Sequence, residues 1–316
     1  MTRPRSKIVS LEVTPYYHCI SRCVRRAFLC GADLYTGKNF DHRKPWLVKR
    51  LKLLEDVFSI DIAAYAIMSN HYHLVLHVDK ERCARWSKED VIAQWLKLYK
   101  GPALIHRYIN NEPLLQAEME LIESLVELWR ARLTSISWFM GCLNEYIARR
   151  ANQEDKCKGR FWEGRFKSQA LLDDSALISC MAYVDLNPIR ASLCEDLSSS
   201  DFTSVQQRLT KIMGKTDHNR PRLMPFQEKQ QEPFQCIPFN LKDYIELVDW
   251  TGRHLRKDKR GHIPAHKLRL LSTLALTEVQ WQILALDIQK ESILMLNGLN
   301  TLKIIKKRSD SAIKAA

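Results

Sequence analysis

The sequence predicts an α+β fold built on one antiparallel sheet with helices packed on one face. Three observations predict it. Short β-prone runs occur at 16–21, 61–68, 71–78 and 166–172, helical periodicity fills the segments around them, and a two-residue turn joins the second run to the third. The order of elements decides the arrangement.

Tyr16-Tyr17-His18-Cys19-Ile20-Ser21 is aromatic and apolar enough for a first strand, and a cationic loop with Arg22, Arg25 and Arg26 follows it. From Trp46 to Phe58 the apolar residues Leu47, Leu51, Leu54 and Val57 recur at helical spacing. Asp61 to Met68 reads as a buried strand. Ser69-Asn70 is a turn, and His71 to Val78 is the returning strand. Ser87 to Lys100 and Leu114 to Arg132 are amphipathic helices, broken by Gly101-Pro102 and by Asn110-Asn111-Glu112-Pro113, and read as an insertion. Ser135 to Ala151 is a helix with Phe139, Met140, Leu143 and Ile147 on one side. Phe166 to Leu172 is the fourth strand. Asp174 then caps a helix from Ser175 to about Leu186, ended by Pro188.

Without the insertion the order is β-α-β-β-α-β and a helix, the split βαβ or ferredoxin-like arrangement. The polar stretch Ser198-Ser199-Ser200-Asp201 suits a boundary. The expected division is a domain at 1–195, with its helical insertion at about 82–133, and a mainly helical, basic region at 196–316. Helices are expected there around Asp201–Ile212, Leu241–Val248 and from Thr277, where Thr277 and Gln280 match a capping box.

The chain has 316 residues and a formal net charge of +13. That balance favours a polyanionic partner, of which nucleic acid is the commonest, although solubility alone also explains basic surfaces. No run approaches ~18 uninterrupted apolar residues, so no membrane span is expected. The basic start, Met1 to Lys7, has no apolar segment behind it and does not read as a secretory signal, so the cytoplasm is the expected location. The 9 cysteines are scattered and odd in number, as expected for reduced thiols. His18, Cys19, Cys23 and Cys30 invite a zinc reading, but no second pair at finger spacing accompanies them.

His71 and His73 are two apart on a strand, with Cα atoms about 7 Å apart and side chains on one face. That geometry suits one divalent metal, while Tyr72 points the other way, towards helices. His77 shares their parity but lies about 13 Å beyond His73 and is set aside as a ligand. Alone, His-x-His is as easily a surface coincidence. Tyr183 and Asn187, four apart, share a helix face, so a phenol and an amide oxygen can meet one site. A core tyrosine and a helix-ending Asn-Pro explain the same residues.

Ser69-Asn70-His71-Tyr72-His73 and Tyr183-Val184-Asp185-Leu186-Asn187-Pro188-Ile189-Arg190-Ala191 resemble the signature segments of single-tyrosine HUH transposases, of the REP-associated tyrosine transposase branch. The opening Tyr16-Tyr17-His18 with Ser21-Arg22, and Phe161-Trp162-Glu163-Gly164-Arg165-Phe166, resemble that family too, over roughly Val13 to Leu193. The resemblance implies that His71 and His73 bind Mg²⁺ or Mn²⁺, with Asn187 beside them, and that Tyr183 is the nucleophile. It implies cleavage and rejoining of single-stranded or hairpin DNA through a 5′-phosphotyrosine, by a monomer or homodimer. The long insertion, the large C-terminal region and Cys23, where relatives often carry glycine, depart from the pattern.

Candidate contacts to the strand are Arg22, Arg25, Arg26, Arg160, Trp162, Arg165 and Lys167, with Arg253, Arg256 and Lys257 in the basic run of the C-terminal region. Singly, each is as well read as a solvated charge or a core aromatic. Three other readings compete: a nucleic-acid-binding regulator on the same fold without catalysis, a rolling-circle initiator or relaxase, and a metal hydrolase that leaves no covalent adduct.

Overall fold

The sheet runs β1 (Tyr16–Arg22), β2 (Ile60–Ile67), β3 (His71–Val78) and β4 (Lys167–Leu171), all antiparallel, in the spatial order β2-β3-β1-β4. A two-residue strand β5, Met295–Leu296, lies parallel to β4. The computed structural model describes residues 9–24, 29–32, 37–215, 217–227, 236–255, 271–287 and 295–296. Helices α1 (Lys44–Val57) and α6 (Ile136–Glu154) are the two crossovers and pack against each other. This is the split βαβ order expected from the sequence.

Strand parity divides the sheet into two faces. Tyr17, Cys19, Tyr72, Leu74 and Leu76 point into a core with Leu47, Leu51 and Leu54 of α1 and Phe139, Leu143 and Ile147 of α6. Tyr72 donates to Oδ1 of Asn144 on α6 at 2.5 Å, so its aromatic bulk and its hydroxyl are both accommodated on this side. The insertion extends the same core. It comprises α2 (Lys80–Ala84), α3 (Lys88–Leu96), α4 (Ala103–Ile109) and α5 (Gln116–Leu133), and Trp95 stacks on Trp129 at 5.3 Å. The short helices α2 and α4 are not distinct in the sequence pattern, because five and seven residues offer too few turns for a period.

The second face is covered by α7 (Asp174–Asp185). Asp173 caps it, its Oδ1 accepting from the Ala176 amide at 2.7 Å, so the cap sits one residue before the expected Asp174. On β2, Ala63, Ala64 and Ala66 lie in this second core, and their small side chains let α7 approach the sheet closely. The short helix α8 (Asn187–Arg190) follows. Helices α9 (Ser204–Ile212), α10 (Leu241–Leu255) and α11 (Glu278–Asp287) complete the layer. Leu197, Val205, Met224, Phe226, Tyr244, Leu247 and Trp281 therefore share one apolar cluster with α7. Gly252 allows α10 to lie on α8, since a Cβ there would meet Leu186, just before α8, at 3.1 Å and Ile189 within it at 3.4 Å. At α11 the Thr277–Gln280 capping box forms, with bonds of 2.7 and 3.3 Å.

None of the nine cysteines is joined in a disulfide, and six are buried. Cys19 faces the first core, away from His18, which separates the members of the supposed zinc group. Among the described residues no helix is long and apolar enough to cross a membrane.

Candidate functional site

The β1–β3 register pairs Arg22 with His71, Ile20 with His73 and His18 with Val75, so all of these side chains share the face under α7. His71 and His73 come together as strand alternation requires, their ring centroids 4.8 Å apart. Tyr183 lies 5.6 Å from the His73 ring and 6.0 Å from that of His18, edge-on to both. Parts of the chain more than a hundred residues apart thus meet in one cluster.

His73 is fully buried and its Nδ1 lies 2.9 Å from Nε2 of His18. His71 reaches further towards solvent, with its Nδ1 at 2.6 Å from Oδ1 of Asn70 in the turn. Burial holds all three imidazoles in the neutral form. His18 is pushed down to about 3 by desolvation and the neighbouring His71, and His71 to about 4 by desolvation and the Arg22 charge. His73 is held well below the ordinary histidine value by desolvation first and by His18 next.

Tyr183 is fully buried. Desolvation raises its phenol, and the charge of Arg190 opposes that rise, the guanidinium carbon lying 4.5 Å from the ring centre. Asn187, one turn after Tyr183, donates its amide nitrogen to the Tyr183 carbonyl at 3.1 Å, leaving the amide oxygen for another role.

Nine buried side-chain atoms among the described residues have no hydrogen-bond partner, and six belong to this neighbourhood. They are His18 Nδ1, His73 Nε2, Gln169 Nε2, Ser179 Oγ, Tyr183 Oη and Arg190 Nη1. Gln169 on β4 is the cross-strand partner of His18, and Ser179 precedes Tyr183 by one turn of α7. A folded protein leaves few such groups unpaired, because each costs about 1–3 kcal/mol. Six in one neighbourhood mark a place where polar or charged atoms would find partners.

A divalent ion fits this donor set. His71 and His73 each have one ring nitrogen engaged and the other left over, both rings are neutral, and the Asn187 oxygen is nearby in sequence on the tyrosine face. Among the described residues no three His, Cys, Asp or Glu side chains form a metal cluster. Oxygen donors for Mg²⁺ or Mn²⁺ would therefore come from an amide, a phosphate or water. His77 is engaged elsewhere, its Nδ1 3.0 Å from Asp61 Oδ2, and Asp61 also pairs with Arg82.

Arg22 is exposed beside His71, and exposed Lys167 of β4 is the cross-strand partner of Ile20. The segment at 161–163 is tied to the end of β1 by bonds from the Glu163 amide to the Arg22 carbonyl, 2.8 Å, and from the Val24 amide to the Phe161 carbonyl, 3.0 Å. Arg22, Lys167 and the loop carrying exposed Arg160 and Arg165 thus meet at one end of the sheet. Trp162 is buried, its indole nitrogen donating to the Asn144 carbonyl at 2.8 Å and its ring edge-on to Tyr72. Arg253 on α10 is exposed and pairs with Asp249 at 2.7 Å. Arg25, Arg26, Arg256 and Lys257 lie outside the described residues.

Four residues were not assigned to this site from the sequence: His18, which was weighed only for zinc and as part of the opening strand, Gln169, Ser179 and Arg190, which was quoted only within the Tyr183–Ala191 segment. Ser179 was within reach, being four residues before Tyr183. The other three required the register of β1 against β3 and β4 and the path of the chain after Pro188.

No family model matches the chain, and no curated protein matches it. One solved structure similar to it is that of a REP-associated tyrosine transposase bound to a REP hairpin. The identity is 10%, the TM-score 0.35, and the match covers 70% of this chain and 93% of the other.

Proposed function

We propose that the protein is a metal-dependent single-stranded DNA nuclease and strand transferase that cuts and rejoins DNA through a 5′-phosphotyrosine on Tyr183. The observation carrying this reading is the gathering of six unpartnered buried polar atoms around two neutral histidines and a tyrosine. A site for apolar ligands would not keep these groups, and a purely structural core would have paired them.

In this reading His71 and His73 hold Mg²⁺ or Mn²⁺, with Asn187 as a further donor. When bound there, the ion would supply Lewis-acid stabilisation of charge on a non-bridging phosphate oxygen. The phenol oxygen of Tyr183 attacks phosphorus, the bond to the 3′ oxygen breaks, and that oxygen leaves as a 3′ hydroxyl after taking up a proton. The phenol proton is lost in the same step, and the Arg190 charge over the ring favours the phenolate. One phosphoester replaces another, so rejoining is the reverse reaction and requires no nucleotide. Arg22, Arg165 and Lys167 at the sheet end would hold the strand by its phosphates.

The complete burial of Tyr183 favours a second reading, in which the fold binds nucleic acid without cutting it. A labelled single-stranded hairpin from DNA flanking the gene, incubated with Mn²⁺, separates the two. Cleavage leaves a denaturation-resistant protein–DNA adduct that is absent in Tyr183→Phe and in the double variant His71→Ala, His73→Ala. An adduct that survives Tyr183→Phe would sink the assignment.

A further inference from the structure

Two buried imidazoles, His18 and His73, pair in the site. His18 Nε2 and His73 Nδ1 stand 2.9 Å apart with ring planes within 16°, so one carries the shared proton and the other accepts it. The outer nitrogens, His18 Nδ1 and His73 Nε2, are both buried and unpartnered. If His18 donates, His73 must carry its own proton on Nε2, which closes that nitrogen to any ligand. If His73 donates, Nε2 presents a lone pair to the site.

We infer that His18 is the positioning residue for His73, accepting the Nδ1 proton and thereby fixing the tautomer and ring angle that aim Nε2 at the metal. Asn70 Oδ1 holds the corresponding proton of His71 at 2.6 Å, so both histidines are set in the same tautomer. The inference rests on the metal-site reading above. A bound ion would satisfy His73 Nε2 and leave only the His18 Nδ1 proton unpaired in this dyad. With the opposite tautomer His73 Nε2 carries a proton and cannot take the ion. The β1–β3 register explains how His18 is held, since it places the residue opposite Val75, diagonal to His73, with no rotational freedom in the core.

The test is Mn²⁺ binding to the full chain, followed by calorimetry or the loss of free-ion electron paramagnetic resonance signal, without DNA. His18→Leu, which has no acceptor, is expected to weaken binding about ten- to hundredfold. His18→Gln, whose amide oxygen can accept the same proton, is expected to recover most of it. Independently of any variant's folding, nitrogen-15 correlation spectra of the metal-free wild type should show His73 protonated at Nδ1. His73 protonated at Nε2, or a folded His18→Leu that binds Mn²⁺ as the wild type does, overturns the role of His18 while leaving the adduct reading intact. A wild type that neither binds Mn²⁺ nor forms the adduct overturns both.

Discussion

The tyrosine helix is held from behind by a buried carboxylate, and removing that carboxylate should be severe. Asp185, two residues after Tyr183, is fully buried. It accepts from Ser204 Oγ at 2.5 Å, the Val205 amide at 3.0 Å and Tyr244 Oη at 2.6 Å. Ser204 and Val205 open α9, so the carboxylate also sits at that helix's positive end. Burial raises its pKa, and these three donors and the Arg208 charge oppose the rise. Asp185→Leu keeps the volume but strands three donors, one of them a main-chain amide that cannot rotate away. Hydrogen bonds to a charged group contribute about 1.5–3 kcal/mol each, and the relief of desolving the carboxylate offsets part of their loss, leaving about 3–5 kcal/mol. Urea denaturation should show a midpoint lower by about 1 M or more at a slope of about 3 kcal/mol/M. Tyr244→Phe, which removes a single donor, should cost about 1–2 kcal/mol. An Asp185→Leu protein within about 1 kcal/mol of wild type would refute the claim that this network fastens α7 to α9 and α10.

Other consequences are open to measurement. Arg190→Gln should slow adduct formation at neutral pH by about tenfold or more while Mn²⁺ binding stays unchanged, because it removes the charge favouring the phenolate; Arg190→Lys should restore part of the rate. Replacing Arg22, Arg165 and Lys167 together by Ala should weaken binding of all single strands alike and lower the salt slope of log K by about 2, at about 0.7 per phosphate contact. Asp61 gives a pH signature. Burial pushes its carboxyl up, but the His77 hydrogen bond and the Arg82 charge outweigh it and hold it below the ordinary value. A depressed carboxyl contributes stability above its unfolded pKa of about 4 and loses it as pH falls through the folded value. Asp61→Asn should therefore flatten the decline of the thermal midpoint below about pH 4, and an unchanged decline would count against the triad.

The sheet was legible because each strand carries its own signal. His71 to Val78 begins and ends where alternation and the Ser69-Asn70 turn place it, and Tyr72 faces α6 as parity demands. Helix α10 runs on to Leu255, seven residues past the expected Val248, because Trp250 is buried in the second core and tertiary packing prolongs a pattern that local periodicity loses. What covers the second face was less legible. The alanines at 63, 64 and 66 make room for a helix, but nothing in their spelling says which helix fills it.

The site divides along the same line. His71 and His73 are visible at a spacing of two, and Tyr183 with Asn187 at a spacing of four, since both periods are local. His18 becomes a partner only when β1 slides into one register against β3; a shift of one residue would turn it to the α1–α6 side and put Cys19 in its place. Arg190 was hidden differently. Asn187-Pro188 reads as the end of a helix, and the structure instead makes one further turn there, which returns a cation over the ring of Tyr183. That turn has a chemical consequence. A phenol sealed from water resists ionisation, and at a site with three neutral imidazoles Arg190 is the charge whose effect on Tyr183 opposes burial. The Asn-Pro pair that looked like punctuation thus returns a cation that opposes the rise burial imposes on the proposed nucleophile.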